Sequence, residues 1–296
     1  MSGSTAPREP ALSSGILDAV RDRVDAVLEA FLAERRAEIA GMDPAAVVLV
    51  DEILRLVRAG GKRIRPALCF WAHRAVGGDE GGPIDRTCAA LELLHTFALV
   101  HDDVMDRSPE RRGVPATHVR FADEAPSGTE PEVFGQAIAV LVGDLAAALA
   151  ERLLRTCGAP SERLAQALSR FDRMRTAMAA GQFLDLAGPS SGPSPPLVAA
   201  LKTGSYTAEG PVSIGTALAG AAPAVEGPLL VYAGLVGRAF QLRDDLVDGD
   251  APLAAVADVD ELVTNAVTAL EGAPLQPEGA RALAELALLL RLERER

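Results

Sequence analysis

Asp102-Asp103-Val104-Met105-Asp106 and Asp244-Asp245-Leu246-Val247-Asp248 are two copies of one acidic pattern, each closing an apolar helical run (residues 91–100 and 229–240). Carboxylates at i and i+4 project from one helix face, where like charges repel. Divalent cations relieve that repulsion. Mg²⁺ suits the task because it takes hard oxygen ligands, keeps several waters and is usually completed by substrate phosphates. One such pattern would read first as a solvated acidic helix end. Two copies in matching contexts point to metal ions shared between facing helices.

Basic groups answer the acidic ones. The segment Gly60-Gly61-Lys62-Arg63-Ile64-Arg65-Pro66 gathers three cations just before a helix N-terminus, where charge and orphan N–H groups both favour phosphate. Arg111-Arg112-Gly113 follows the first acidic helix, and guanidinium groups suit bidentate phosphate recognition. Lys202-Thr203-Gly204 interrupts an apolar helix, and an ammonium there needs an anionic partner. Carboxylates with nearby cations imply a polyphosphate plus Mg²⁺. Walker A and kinase-type glycine loops are absent, which disfavours a nucleotide.

The elements that must position these groups read as helices throughout. Apolar residues recur at helical spacing over 16–39, and helices are expected over 44–58, 66–76, 84–106, 133–157, 161–186, 197–222, 228–248 and 281–296. Residues 107–131 read as a loop with at most one short helix, and 187–196 as a flexible connection rich in Pro, Ser and Gly. No convincing strand alternation occurs. Residues 1–15 read as a disordered tail, and 16–296 as one all-α domain, a bundle of about ten or more helices around a deep central cavity.

Composition agrees. The chain has 296 residues, is 49% hydrophobic and only 4% aromatic, and carries a net charge of −12, which argues against nucleic acid and anionic membrane surfaces. Cys69, Cys88 and Cys157 lack CxxC spacing and read as small buried hydrophobes in a reducing compartment. No uninterrupted apolar run reaches the roughly 18–20 residues of a membrane span. A cytoplasmic protein without stable membrane insertion is expected.

At this point a family resemblance becomes specific. GGKRIRP (60–66), LELLHTFALVHDDVMD (91–106), RRGVPATH (111–118), GQFLDL (181–186), KTGSYT (202–207) and FQLRDDLVD (240–248) resemble, in order and spacing, the trans-isoprenyl diphosphate synthases, or polyprenyl synthetases. The resemblance implies a homodimeric all-α prenyltransferase that condenses isopentenyl diphosphate with an allylic diphosphate, using Mg²⁺, three ions in all. It implies that Asp102 and Asp106 ligate Mg²⁺ with Asp103 supporting, and that Asp244 holds a further ion with Asp245 and Asp248 around it. Arg111 and Lys202 would bind the allylic diphosphate. Lys62, Arg65, His95 and Arg112 would bind isopentenyl diphosphate, with Gly61 supplying backbone and Phe240 packing near its hydrocarbon. Thr203, Gln241 and the Lys202 carbonyl would face the carbocation. His95 alone would read as a core histidine; only its place in the motif assigns it a ligand.

Chain length follows from the same resemblance. Phe97 and Ala98 lie five and four residues before Asp102, about one helical turn deeper. An aromatic at the first position beside a small residue at the second resembles the pattern of C20 synthases, so geranylgeranyl diphosphate is the expected product and farnesyl diphosphate the alternative. The sequence departs from the family after Asp248: residues 249–260 lack the glycine- and lysine-rich lid, no lysine follows Lys202, and one or two terminal helices look absent. That departure leaves open a terpene cyclase-like enzyme of the same fold or a non-catalytic modulatory subunit.

Overall fold

The structure, a computed structural model, describes residues 15–188, 197–198, 200–249, 251–252 and 255–292. The expected tail and nearly all of the 187–196 connection lie outside the described residues. Eleven α-helices are described: α1 (Gly15–Met42), α2 (Val48–Arg58), α3 (Ile64–Ala75), α4 (Gly82–Met105), α5 (Thr117–Asp123), α6 (Pro131–Arg155), α7 (Ser161–Ala187), α8 (Gly210–Ala219), α9 (Pro223–Asp248), α10 (Val256–Leu270) and α11 (Pro277–Leu288). A 3-10 turn (Pro44–Val47) precedes α2, and a π-helix (Ala200–Glu209) runs directly into α8. The 3-10 turn is set by Asp43, whose carboxylate accepts the Ala45 N–H at 2.8 Å.

Most sequence-derived helices are found within a few residues. Three differences are physical. Residues 107–131 contain, besides the short α5, an antiparallel hairpin of β1 (Glu110–Arg111) and β2 (Val114–Pro115). Two-residue strands carry too little alternation to be seen in a sequence. The helix expected from 197 is wound as a π-helix up to Glu209. After α9 the chain forms α10 and α11, so residues 256–260, within the segment read as lacking the lid, are helical. Gly249 caps α9 by returning its N–H to the Asp245 carbonyl, and Ala251 donates to the same oxygen at 3.0 Å.

The chain forms two compact units. The first comprises Ala19–Pro66 and Asp85–Gly158. Its core includes Val24, Leu28, Leu32, Ile53, Leu91, Leu94 and Leu153, with α6 laid along α5 and α2. An ion pair from Arg23 to Asp85 at 2.8 Å ties α1 to α4. The second comprises the start of α1, Ala67–Ile84 and the chain from Ala159 on. Here Phe171, Val212, Ile214, Leu229, Tyr232, Val263 and Leu283 are buried, and α9 packs on the π-helix and α10. Burial raises the Tyr232 phenol far above its ordinary range, and its hydroxyl donates to the Leu283 carbonyl at 2.6 Å.

Among the described residues one helix, α6, is long and apolar enough to cross a membrane by length and composition, with a mean hydropathy of 1.9 and 44% of that window buried. Counting uninterrupted apolar residues missed it, because Gln136 and Asp144 break the run.

Candidate active site

The first unit carries the first aspartate pattern at the end of α4. Helical geometry persists through Asp106, whose N–H donates to the Asp102 carbonyl at 2.8 Å, so the two residues stand one turn apart. Asp102 is half-buried and Asp106 exposed, whereas Asp103 is only 2% exposed. Asp103 accepts from Arg111 through Nε at 2.9 Å and Nη2 at 2.5 Å. This pairing aims a guanidinium that remains one-third exposed. The gap beside this pair, lined by Leu56, Leu99, Arg111 and Arg112 among others, is only about 10 Å³. That is room for one water at most.

The β1–β2 hairpin brings Arg112 back to the glycine-rich loop. Its guanidinium donates to the Gly60 carbonyl. A Cβ on Gly61 would lie 2.9 Å from Arg112 Nη2, so any larger residue here would push this guanidinium aside. Arg65 Nη1 is 3.4 Å and Arg112 Nη2 is 3.5 Å from His95 Nε2. These are contacts at the outer limit of hydrogen bonding. Burial first, then the charges of Arg65, Arg112, Arg63 and Arg111, hold the His95 imidazole well below its ordinary range. It is neutral at pH 7, with Nε2 able to accept a hydrogen bond. Desolvation and the neighbouring Arg63, Arg65 and Arg111 likewise lower Arg112, partly offset by Glu92. Guanidiniums this crowded call for a polyanion. Lys62 is exposed at the head of this cluster.

Arg63 behaves otherwise. Grouped by sequence with Lys62 and Arg65 as a phosphate-facing cation, it is 3% exposed and turned inward. Phe97 and Ala98 are both half-buried on α4, and the Phe97 ring packs edge-on against His101 with centroids 4.7 Å apart.

The second unit carries the other half of the expected residues. Lys202 lies in the π-helix, a distortion frequent at functional sites. Its Nζ donates to Asp185 Oδ2 at 2.6 Å. The sequence demanded an anionic partner for Lys202 without naming it; Asp185 sits in the GQFLDL motif, which could have suggested it. A Cβ on Gly181 would fall 2.3 Å from the Lys202 amide nitrogen, so this glycine lets α7 meet the π-helix where the lysine emerges. Thr203 and Phe240 are half-buried. Gln241 Nε2 donates to Asp245 Oδ1 at 2.6 Å, which orients that carboxylate. Asp244 is 44% exposed, and Arg243, almost fully buried, brings Nη1 to 4.0 Å from its carboxylate. No signal in the sequence singled out Arg243. The Asp248 side chain lies outside the described residues. The same unit carries an open pocket of about 560 Å³ lined by Met174, Ala177, Leu201 and Leu230, with Arg170 already paired to Glu226 at its polar end.

The donor chemistry fits Mg²⁺. All candidate ligands are carboxylate oxygens, and among the described residues no three side chains converge on one metal position. Mg²⁺ is commonly held by one or two carboxylates with waters and substrate phosphates completing the shell.

Each unit carries an aspartate-rich helix end, and the all-α chain adds arginine-rich, glycine-backed loops, groups of the kind that diphosphates and divalent ions would need. Comparison with known proteins gives the family. The sequence profile of the polyprenyl synthetases matches residues 47–255, and the chain belongs to that family. It is 32% identical over 243 residues to the geranylgeranyl diphosphate synthase of Methanosarcina mazei, covering 80% of this chain and 68% of that one. It is 34% identical over 195 residues to the geranylgeranyl pyrophosphate synthase of Geoglobus acetivorans, where it spans 57% of the relative's length. Among solved structures it superposes on the Corynebacterium glutamicum geranylgeranyl pyrophosphate synthase complexed with isoprenyl diphosphate and magnesium. The TM-score is 0.83 at 26% identity, over 93% of this chain and 98% of that one.

Proposed function

We propose that the protein is a prenyltransferase that joins isopentenyl diphosphate to an allylic diphosphate and makes geranylgeranyl diphosphate. The observation that carries this reading lies on α4. His95 and Asp102 are two turns apart and therefore share a face, about 10 Å apart along the axis. One end of that stripe meets the Arg65–Arg112 cation cluster, and the other is the Asp102–Asp106 carboxylate pair. A diphosphate held by guanidiniums and a second held through metal would thus be served from a single helix.

In this reading Lys62, Arg65, His95 and Arg112 hold isopentenyl diphosphate. Arg111, aimed by Asp103, and Lys202, released from Asp185, hold the allylic diphosphate. Mg²⁺, three ions ligated by Asp102, Asp106, Asp244, Asp245 and Asp248, would neutralise charge that grows on the departing diphosphate. Thr203, Gln241 and the Lys202 carbonyl offer oxygen dipoles to the allylic cation, and Phe240 packs the isopentenyl hydrocarbon. The isopentenyl double bond attacks the cationic carbon, and the departing diphosphate takes the proton then lost. Preorganised charge of this kind usually contributes more to such catalysis than any other single effect.

A homodimer is part of the proposal. Val133, Val140 and Leu141 stand 57%, 49% and 51% exposed along one side of α6, an apolar strip suited to a second copy. The same pairing would account for the apolar length of α6 without membrane insertion. Three buried free cysteines fit a reducing, cytoplasmic location. The test is incubation with Mg²⁺, isopentenyl diphosphate and C5, C10 or C15 allylic diphosphates, followed by chromatography of the products. A C20 diphosphate is expected. Cyclised hydrocarbon, or no product without a partner protein, would overturn the reading.

A further inference from the structure

Three non-glycine residues among those described have positive φ, and all three are arginines beside the candidate site: Arg63 (φ 51°), Arg107 (53°) and Arg112 (55°). For a long side chain this conformation is sparsely populated and persists only where surrounding contacts over-determine it. At Arg63 those contacts are visible. Nη1 donates to Glu92 Oε1 at 2.6 Å, Nε and Nη2 donate to Asp25 Oδ1 at 3.0 and 2.8 Å, and Nη2 also reaches the Val57 carbonyl at 2.9 Å. The Arg63 and Glu92 side chains are 1% and 3% exposed. Glu92 lies on α4 three residues before His95, one turn away on the same helix.

Resting on the prenyltransferase reading, we propose that Arg63 is a positioning residue for isopentenyl diphosphate: pinned on Glu92, Asp25 and Val57, it fixes the glycine-rich loop to α4 so that Arg65 stands at His95. The inward turn of Arg63 has a directional consequence. Its neighbours in sequence, Lys62 and Arg65, are exposed and half-buried, while the Arg63 fork is consumed by two carboxylates and a carbonyl. A guanidinium can satisfy three acceptors in one plane; an ammonium of similar charge cannot reproduce that fork. Arg63 therefore acts through its geometry and does not touch substrate.

The experiment uses the full-length protein, with helix content checked by circular dichroism. Calorimetry reads isopentenyl diphosphate binding, and steady-state kinetics read both substrates. Arg63→Lys should raise the Kd and KM for isopentenyl diphosphate about tenfold or more, while the allylic KM moves less than about threefold. Glu92→Gln decides between positioning and direct contact. If Arg63 is pinned by Glu92, this change weakens isopentenyl diphosphate binding; if Arg63 were a phosphate ligand held back by Glu92, it would tighten binding. The double variant R63Q/E92Q, which leaves no unpaired buried charge, guards against misfolding and should show the same selective loss. Unchanged isopentenyl diphosphate affinity in folded Arg63→Lys or R63Q/E92Q, or tighter binding in Glu92→Gln, overturns the proposal and leaves the prenyltransferase reading intact. A wild-type protein that neither binds nor consumes isopentenyl diphosphate overturns both.

Discussion

In the prenyltransferase reading, individual charges at this site divide between those proposed to meet substrate and those that hold others in place. Asp103 accepts from Arg111 and Asp245 from Gln241, while Asp102 is half-buried and Asp244 lies 4.0 Å from the buried Arg243 guanidinium. Asp102→Ala or Asp244→Ala should lower kcat by orders of magnitude with helix content unchanged, since each removes a ligand to charge that develops in the transition state. Near-normal turnover in a stopped assay would refute the assignment. The two substrates should separate by residue. Arg65→Ala is expected to raise the KM for isopentenyl diphosphate, and Lys202→Ala that for the allylic partner, each loss of a charge-assisted contact costing about 1.5–3 kcal/mol. Steady-state kinetics with one substrate varied at a time would show a crossed pattern; equal effects on both would mean the pockets are wrongly assigned. Phe97→Ala should lengthen the product by at least one C5 unit, read by chromatography of the dephosphorylated alcohols. An unchanged distribution would place the floor of the chain pocket elsewhere.

At the scale of elements, a buried ion network fixes the hairpin that carries Arg111 and Arg112. Glu52 on α2 is fully buried and accepts from Arg55 at 2.7 Å, from Thr117 at 2.8 Å and from Arg120, while Arg55 also donates to the Pro115 carbonyl at 3.1 Å. Burial alone would raise the Glu52 carboxyl, but hydrogen bonds from Arg55 and Thr117 and the charges of Arg55 and Arg120 bring it below 4.5. The folded protein thus binds this proton less tightly than the unfolded chain does. Its stabilising contribution is complete above about pH 4.5 and fades as pH falls through the lowered folded value. Glu52→Gln should cost about 1–3 kcal/mol in urea unfolding at pH 7 and flatten the acid dependence below about pH 4.5. An acid limb identical to that of the wild type would show that another carboxylate governs it.

At the scale of the whole molecule, the exposed apolar strip on α6 is the feature least suited to an isolated chain. Leu141→Asp in the Val140–Leu141 patch should give monomers in analytical ultracentrifugation with secondary structure retained, because a charge placed in an apolar interface loses hydration without gaining a partner. A dimer of undiminished affinity would locate the interface on another surface.

How much of this was legible beforehand depends on whether the information is local. Helical period, proline and glycine breaks and the spacing of Asp102 with Asp106 are properties of short stretches of chain, so the helices and the candidate charged groups could be read from residues alone. The ordered motifs added the family. Contacts between distant segments could not be read that way. That Arg63 turns inward to Glu92 while Arg65 reaches His95 depends on the backbone of one loop residue. That Lys202 finds Asp185 depends on Gly181 allowing two helices to touch. The hairpin at Glu110–Pro115 and the π-helix at Ala200–Glu209 are likewise decided by packing, which overrides weak local preference. The amino-acid sequence determined which groups are present and on which helix face; the tertiary structure decided which of the charges pair with one another, because those pairings depend on how distant segments pack.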